Sequence, residues 1–140
     1  MASEGVVDSG CVRDWMSRSP ITVAESTPIG VAIARMQTAE VRHLLVMDGV
    51  VLTGIVSNRD LRRLVMRDTG LPSLSEPVRS IMSPGPVSVA PDTPMVVAAR
   101  LLLEQRIGAL PVREGDQIVG IFTLSDALDA LLTVVEGPRP

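Results

Sequence analysis

One feature limits this 140-residue chain more than any other: a short stretch that occurs twice. Positions 54–60 read GIVSNRD and positions 120–126 read GIFTLSD. Each is a glycine, two large apolar residues, a hydroxyl residue, two variable residues and an aspartate. They lie 66 residues apart (120 − 54), and residues 12–62 slide onto 78–128 without a gap, with 17 of the 51 pairs identical. A repeat of this length is one supersecondary unit used again. Two copies are too few for a solenoid, so the simplest arrangement lays the apolar sheet face of one copy against that of the other.

Within each copy the pattern is mixed. Thr27-Pro28 is read as a helix start, with Thr as the cap and Pro at the first helical position. Ile29, Ala32, Ile33 and Met36 follow at helical spacing, which predicts a helix over 28–39. Residues 42–47 and 50–56 read as two strands joined at Asp48-Gly49, a two-residue hairpin signal. A helix from 57 to 67 follows. Residues 68–77 (DTGLPSLSEP) read as a linker, and the pattern restarts at Val78. The expected layout is a lead-in over 1–11, copies at 12–67 and 78–132, and a frayed tail over 133–140.

Composition narrows the chemistry. A formal net charge of −3 argues against nucleic acid as the main partner, since phosphate binding needs a basic face. Trp15 and Phe122 are the only aromatic residues, so base-stacking platforms are missing. All 13 basic residues are Arg, which excludes a P-loop lysine and a Schiff-base lysine. Cys11 and His43 are the single cysteine and histidine, so neither a disulfide nor a two-histidine metal site can form within one chain. Cys11 reads as inert. No signal peptide or membrane-spanning run is visible, and a cytoplasmic protein is the expectation.

The repeated stretch has two readings. Ser57-x-x-Asp60 and Thr123-x-x-Asp126 fit a capping box, in which a hydroxyl and an acid satisfy the free N–H groups that open a helix. The same atoms suit a nucleotide. A helix N-terminus attracts phosphate. A carboxylate one turn in offers two acceptor oxygens to neighbouring ribose hydroxyls. With so few aromatics, the slot for a base must be aliphatic.

The ordered set resembles the CBS motif, twice over. The matching pieces are MSRSPITV and MSPGPVSV, the two Thr-Pro starts, RHLLVMDG and GALPVREG, then GIVSNRD and GIFTLSD. This resemblance implies an α+β fold, two β-α-β-β-α motifs packed sheet to sheet with pseudo-twofold symmetry. It implies clefts for adenosine-containing ligands such as AMP, ADP, ATP or S-adenosylmethionine, and a homodimer. Carried over by position, Ser57 and Thr123 meet the phosphate or other polar tail, and Asp60 and Asp126 the ribose. Thr22 and Ser88 lie beside the adenine or ribose, and Val41 and Ile107 supply aliphatic walls. Arg42 and His43 stand where the family places phosphate-binding residues.

The copies differ. Arg42, His43 and Arg59 become Gly108, Ala109 and Ser125 in the second, so phosphates are expected near the first. Arg62 and Arg63 read as a solvated helix face. Leu45 replaces the proline found at Pro111, and Trp15 the aliphatic Ile81. No nucleophile–base pair is visible. The reading is therefore a regulatory module, not an enzyme. It needs no cofactor, responds to an adenosyl ligand, and acts on a protein the sequence does not identify. The alternative is a ligand-free structural dimer or adaptor.

Overall fold

Leu and Val runs bounded by glycine make the strands, and apolar residues three and four apart make the helices. The computed structural model describes residues 10–65 and 74–137. In the first repeat, β1 spans Thr22–Ala24, α1 Ile29–Ala39, β2 His43–Asp48, β3 Val51–Ser57 and α2 Asn58–Val65. In the second, β4 spans Ser83–Pro84, α3 Met95–Gln105, β5 Ala109–Glu114, β6 Gln117–Thr123 and α4 Leu124–Glu136. The fold is α+β, with β-α-β-β-α order in each repeat. The counterpart of β1 in the second repeat is reduced to one parallel bridge, Val89 to Val112.

The described residues of Pro20–Pro86 form one compact unit, and those of Met1–Ser19 and Val87–Pro140 the other. Each unit therefore takes the opening segment of the opposite repeat. The Pro20–Pro86 unit has a sheet ordered β1-β2-β3-β4. β1 runs parallel to β2, while β3 is antiparallel to both β2 and β4. Its core holds Ile29, Ala32, Leu44, Val46 and Val56, and also Val78. In the other unit β5 pairs with β6. Its core holds Leu102, Leu110, Val112 and Phe122, and also Val12. Val12 and Val78 are both fully buried.

Backbone bonds fasten these segments. Val12 N donates to Thr93 O at 2.8 Å, and Ser17 and Ile121 exchange two bonds of 3.0 Å. Val78 N donates to Thr27 O at 2.8 Å. Met16 and Met82 lie over the strand glycines. A Cβ on Gly120 would fall 2.6 Å from Ser17 O and 2.7 Å from Met16 Sδ, so only glycine fits there.

Some expectations need correction. The first helix begins at Ile29, because Pro28 is extended at ψ 143° and serves as the N-cap itself. Thr27 is not the cap. The first helical N–H groups instead meet backbone carbonyls, Ile29 N to Glu76 O at 2.8 Å and Gly30 N to Leu74 O at 2.9 Å. The hairpin pairs Asp48 with Val51, so Gly49, at φ +62°, takes the first turn position rather than the second. The tail is ordered further than expected, since α4 runs to Glu136 and Thr133 Oγ1 donates to Asp129 O at 2.9 Å. Residues 1–9 of the expected lead-in, 66–67 of the expected helix, 68–73 of the linker and 138–140 of the tail lie outside the described residues.

Candidate functional site

Both aspartates are built into capping boxes. Ser57 N donates to Asp60 Oδ2 at 2.8 Å and Ser57 Oγ to the same oxygen at 3.1 Å, while Asp60 N donates back to Ser57 Oγ at 3.2 Å. Thr123 and Asp126 repeat the pattern at 2.8, 3.1 and 3.3 Å. The bonds from Ser57 and Thr123 converge on one oxygen, Oδ2, of each carboxylate. A third version caps the short 3-10 turn at Val12–Asp14, where Cys11 N donates to Asp14 Oδ2 at 2.9 Å.

In the Pro20–Pro86 unit, charged residues gather around this cap. β2 and β3 pair His43 with Ser57, and Asn58 N donates to Arg42 O at 2.9 Å. With Asp60 N bound to Ser57 Oγ, two of the opening N–H groups of α2 already have partners. Any anion here must therefore rely on side chains more than the sequence suggested. Burial holds the His43 imidazole below its ordinary 6.5. The Asp60 carboxylate pulls the other way, and Arg42 and Arg59 push it down further. Asp60, Arg42 and Arg59 thus all lie within electrostatic reach of His43, and Ser57 pairs with it across the sheet.

Thr22 is exposed on β1, opposite Leu45, and its carbonyl accepts from Arg35 Nη1 at 3.0 Å. Val41 packs against the core of this unit. A groove here is lined by Asp60, Arg63, Leu64, Ser80, Ile81 and Met82. Arg63, expected only on a solvated face, is exposed and also edges this groove. Ser80 and Ile81 went unnoticed, because they belong to the other repeat. The available clue was Val78, an apolar residue that opens the second copy as Val12 opens the first.

The other unit holds Thr123, Asp126, Ile107 and Ser88, with Gly108, Ala109 and Ser125 where the first repeat has Arg42, His43 and Arg59. Ala109 faces Thr123 where His43 faces Ser57. Leu124 N donates to Gly108 O at 2.9 Å. Burial raises the Asp126 carboxyl above its ordinary 3.8. The Thr123 bonds oppose that, and the neighbouring Asp129 carboxylate adds to it. Ile107 packs against the core, and Ser88 precedes the Val89 bridge half-buried. Among the described residues no group of three or more His, Cys, Asp or Glu stands ready for a metal. No described helix is long and apolar enough to cross a membrane.

The comparisons agree with this layout. The family model described as CBS domain matches residues 12–67 and 78–133. A CBS domain-containing protein of Dictyostelium discoideum is 34% identical over 140 residues, covering 92% of this chain and 96% of that one. The crystal structure of CBSX2 in complex with AMP has a TM-score of 0.75 at 30% identity, covering 91% of this chain and 99% of that one. The CBS domain pair of protein MJ0100, solved with 5′-methylthioadenosine and S-adenosyl-L-methionine, has a TM-score of 0.77 at 23% identity, a likeness of fold, covering 86% and 94%. Three further curated relatives are longer, and the matched stretch is 13%, 33% and 25% of their length.

Proposed function

As the chain belongs to the CBS domain family, we propose that it is a regulatory module which binds an adenosine-containing ligand and carries out no reaction of its own. The observation that carries this reading is the gathering of Arg42, His43, Ser57, Arg59 and Asp60 at the start of α2. In this reading Asp60 and Asp126 take the ribose with the carboxylate oxygen the cap leaves over. Ser57 and Thr123 face the ligand's polar tail. Thr22 and Ser88 lie beside the adenosyl group, and Val41 and Ile107 supply its aliphatic walls. Arg42, His43 and Arg59 hold phosphate. The AMP complex of a relative at 30% identity supports AMP as the first ligand to try, with ADP, ATP and S-adenosylmethionine next. The chain would meet such a ligand in the cytoplasm and pass the change to a partner protein.

Isothermal calorimetry with these four ligands tests the reading. Asp60→Ala should weaken AMP by about 1.5–3 kcal/mol, roughly 10- to 150-fold. The second reading is a ligand-free adaptor, favoured by the completed capping boxes. It prevails if none of the four ligands binds and Asp60→Ala changes only stability.

We also propose a homodimer through the helices. Leu128, Leu131 and Val135 of α4 are 52%, 53% and 72% exposed, and Leu103 of α3 is 77% exposed. Apolar faces of this kind are covered in most soluble proteins. Light scattering that gives the mass of one chain at micromolar concentration would refute the dimer.

A further inference from the structure

The groove beside Asp60 contains an arginine where the repeat places an acid in the other unit. Arg63 stands three residues beyond Asp60 on α2, so the two share one helix face. Across the groove stand Ser80, Ile81 and Met82. The 66-residue offset carries Asp60, Arg63, Ser80 and Ile81 to Asp126, Asp129, Asp14 and Trp15. The frame around both sets is the same. Each aspartate caps its helix through Oδ2. Met82 lies over Gly54 as Met16 lies over Gly120. Val78 and Val12 anchor the two short turns in the cores.

The charges differ. At these four positions the Asp60 set holds one carboxylate and one guanidinium, and the second set holds three carboxylates. Arg42 and Arg59 reinforce the first set. In the second, Asp129 lies close enough to Asp126 to disfavour its ionisation, and Arg13 and Arg18 stand beside Asp14. A guanidinium donates paired N–H groups to a phosphate. A carboxylate offers only acceptors and repels the same group.

We propose that Arg63 and Asp129 select ligands by charge: Arg63, with Ser80 across the groove, admits an adenosyl ligand bearing a phosphate, and Asp129 reserves the equivalent position for one without. This rests on the adenosyl reading above. Titration calorimetry of the whole chain with AMP and with adenosine tests it. In Arg63→Gln the ratio of AMP to adenosine affinity should fall by about tenfold. In Asp129→Arg a second AMP site should appear. Asp129→Asn, which should strengthen AMP at that position less, replaces it if the arginine variant does not fold. Arg63 and Asp129 are both exposed, and circular dichroism checks that the variants keep the fold. An unchanged ratio in Arg63→Gln, with AMP still bound, overturns the selector and leaves the adenosyl reading standing. Wild-type chain that binds neither AMP nor adenosine overturns both.

Discussion

Ser57 and Thr123 each do two jobs at the residue scale. Each hydroxyl accepts the N–H of the aspartate three residues on and donates to its carboxylate. Thr123→Ala should therefore lower stability by about 1 kcal/mol, measured by urea denaturation, whether or not a ligand binds. His43 adds a pH dependence. Because burial holds its folded pKa below the ordinary 6.5, the unfolded chain takes up the proton first. Its contribution to stability is present above about 6.5 and is lost as pH falls through the folded value. His43→Gln should flatten that part of the stability curve. As the chain has one histidine, a proton NMR titration reads it directly, and a pKa at or above the ordinary value would contradict the burial argument. If AMP binds beside it, the phosphate should raise that pKa.

At the scale of elements, one pair of positions accounts for the lost opening strand of the second repeat. Leu45 N donates to Ile21 O at 3.0 Å and Glu25 N to Met47 O at 3.1 Å, which bracket the β1–β2 ladder. Their counterparts are Pro111 and Pro91, and proline has no N–H to give. The second copy therefore keeps only the two bonds around Val89, Val89 N to Pro111 O and Arg113 N to Val89 O. The loss of this ladder was not read from the sequence, which drew attention to Leu45 rather than to Pro111 and Pro91, but the element order and the hydroxyl–aspartate caps were legible, because each depends on neighbours along the chain. The placement of Val12 and Val78 was not, since repeats compared side by side say nothing about which copy a segment joins. The residues lining the Asp60 groove were hidden for the same reason. Gly120 offers a check on that placement. Gly120→Ala pushes a methyl against Ser17 O and Met16 Sδ and should cost about 1–3 kcal/mol. A wild-type melting temperature in that variant would mean residues 16–17 do not pack there.

For the whole molecule, the exchange of opening segments predicts an effect at a distance in sequence. Val12→Ala removes a fully buried side chain from the core around Phe122 and should cost about 2–3 kcal/mol. Hydrogen exchange should then quicken in β5 and β6, about a hundred positions downstream, and much less in β2 and β3. Quickening in β2 and β3 alone would place Val12 in the wrong core. The same exchange bears on how the chain comes off the ribosome. Residues 20–86 are continuous and can close their core as soon as they emerge. Residues 10–19 are made before them, yet their partners, from Val89 to Ala130, are made after them. Residues 10–19 must wait, with Val12 and Trp15 uncovered, until residues 89–130 have been translated.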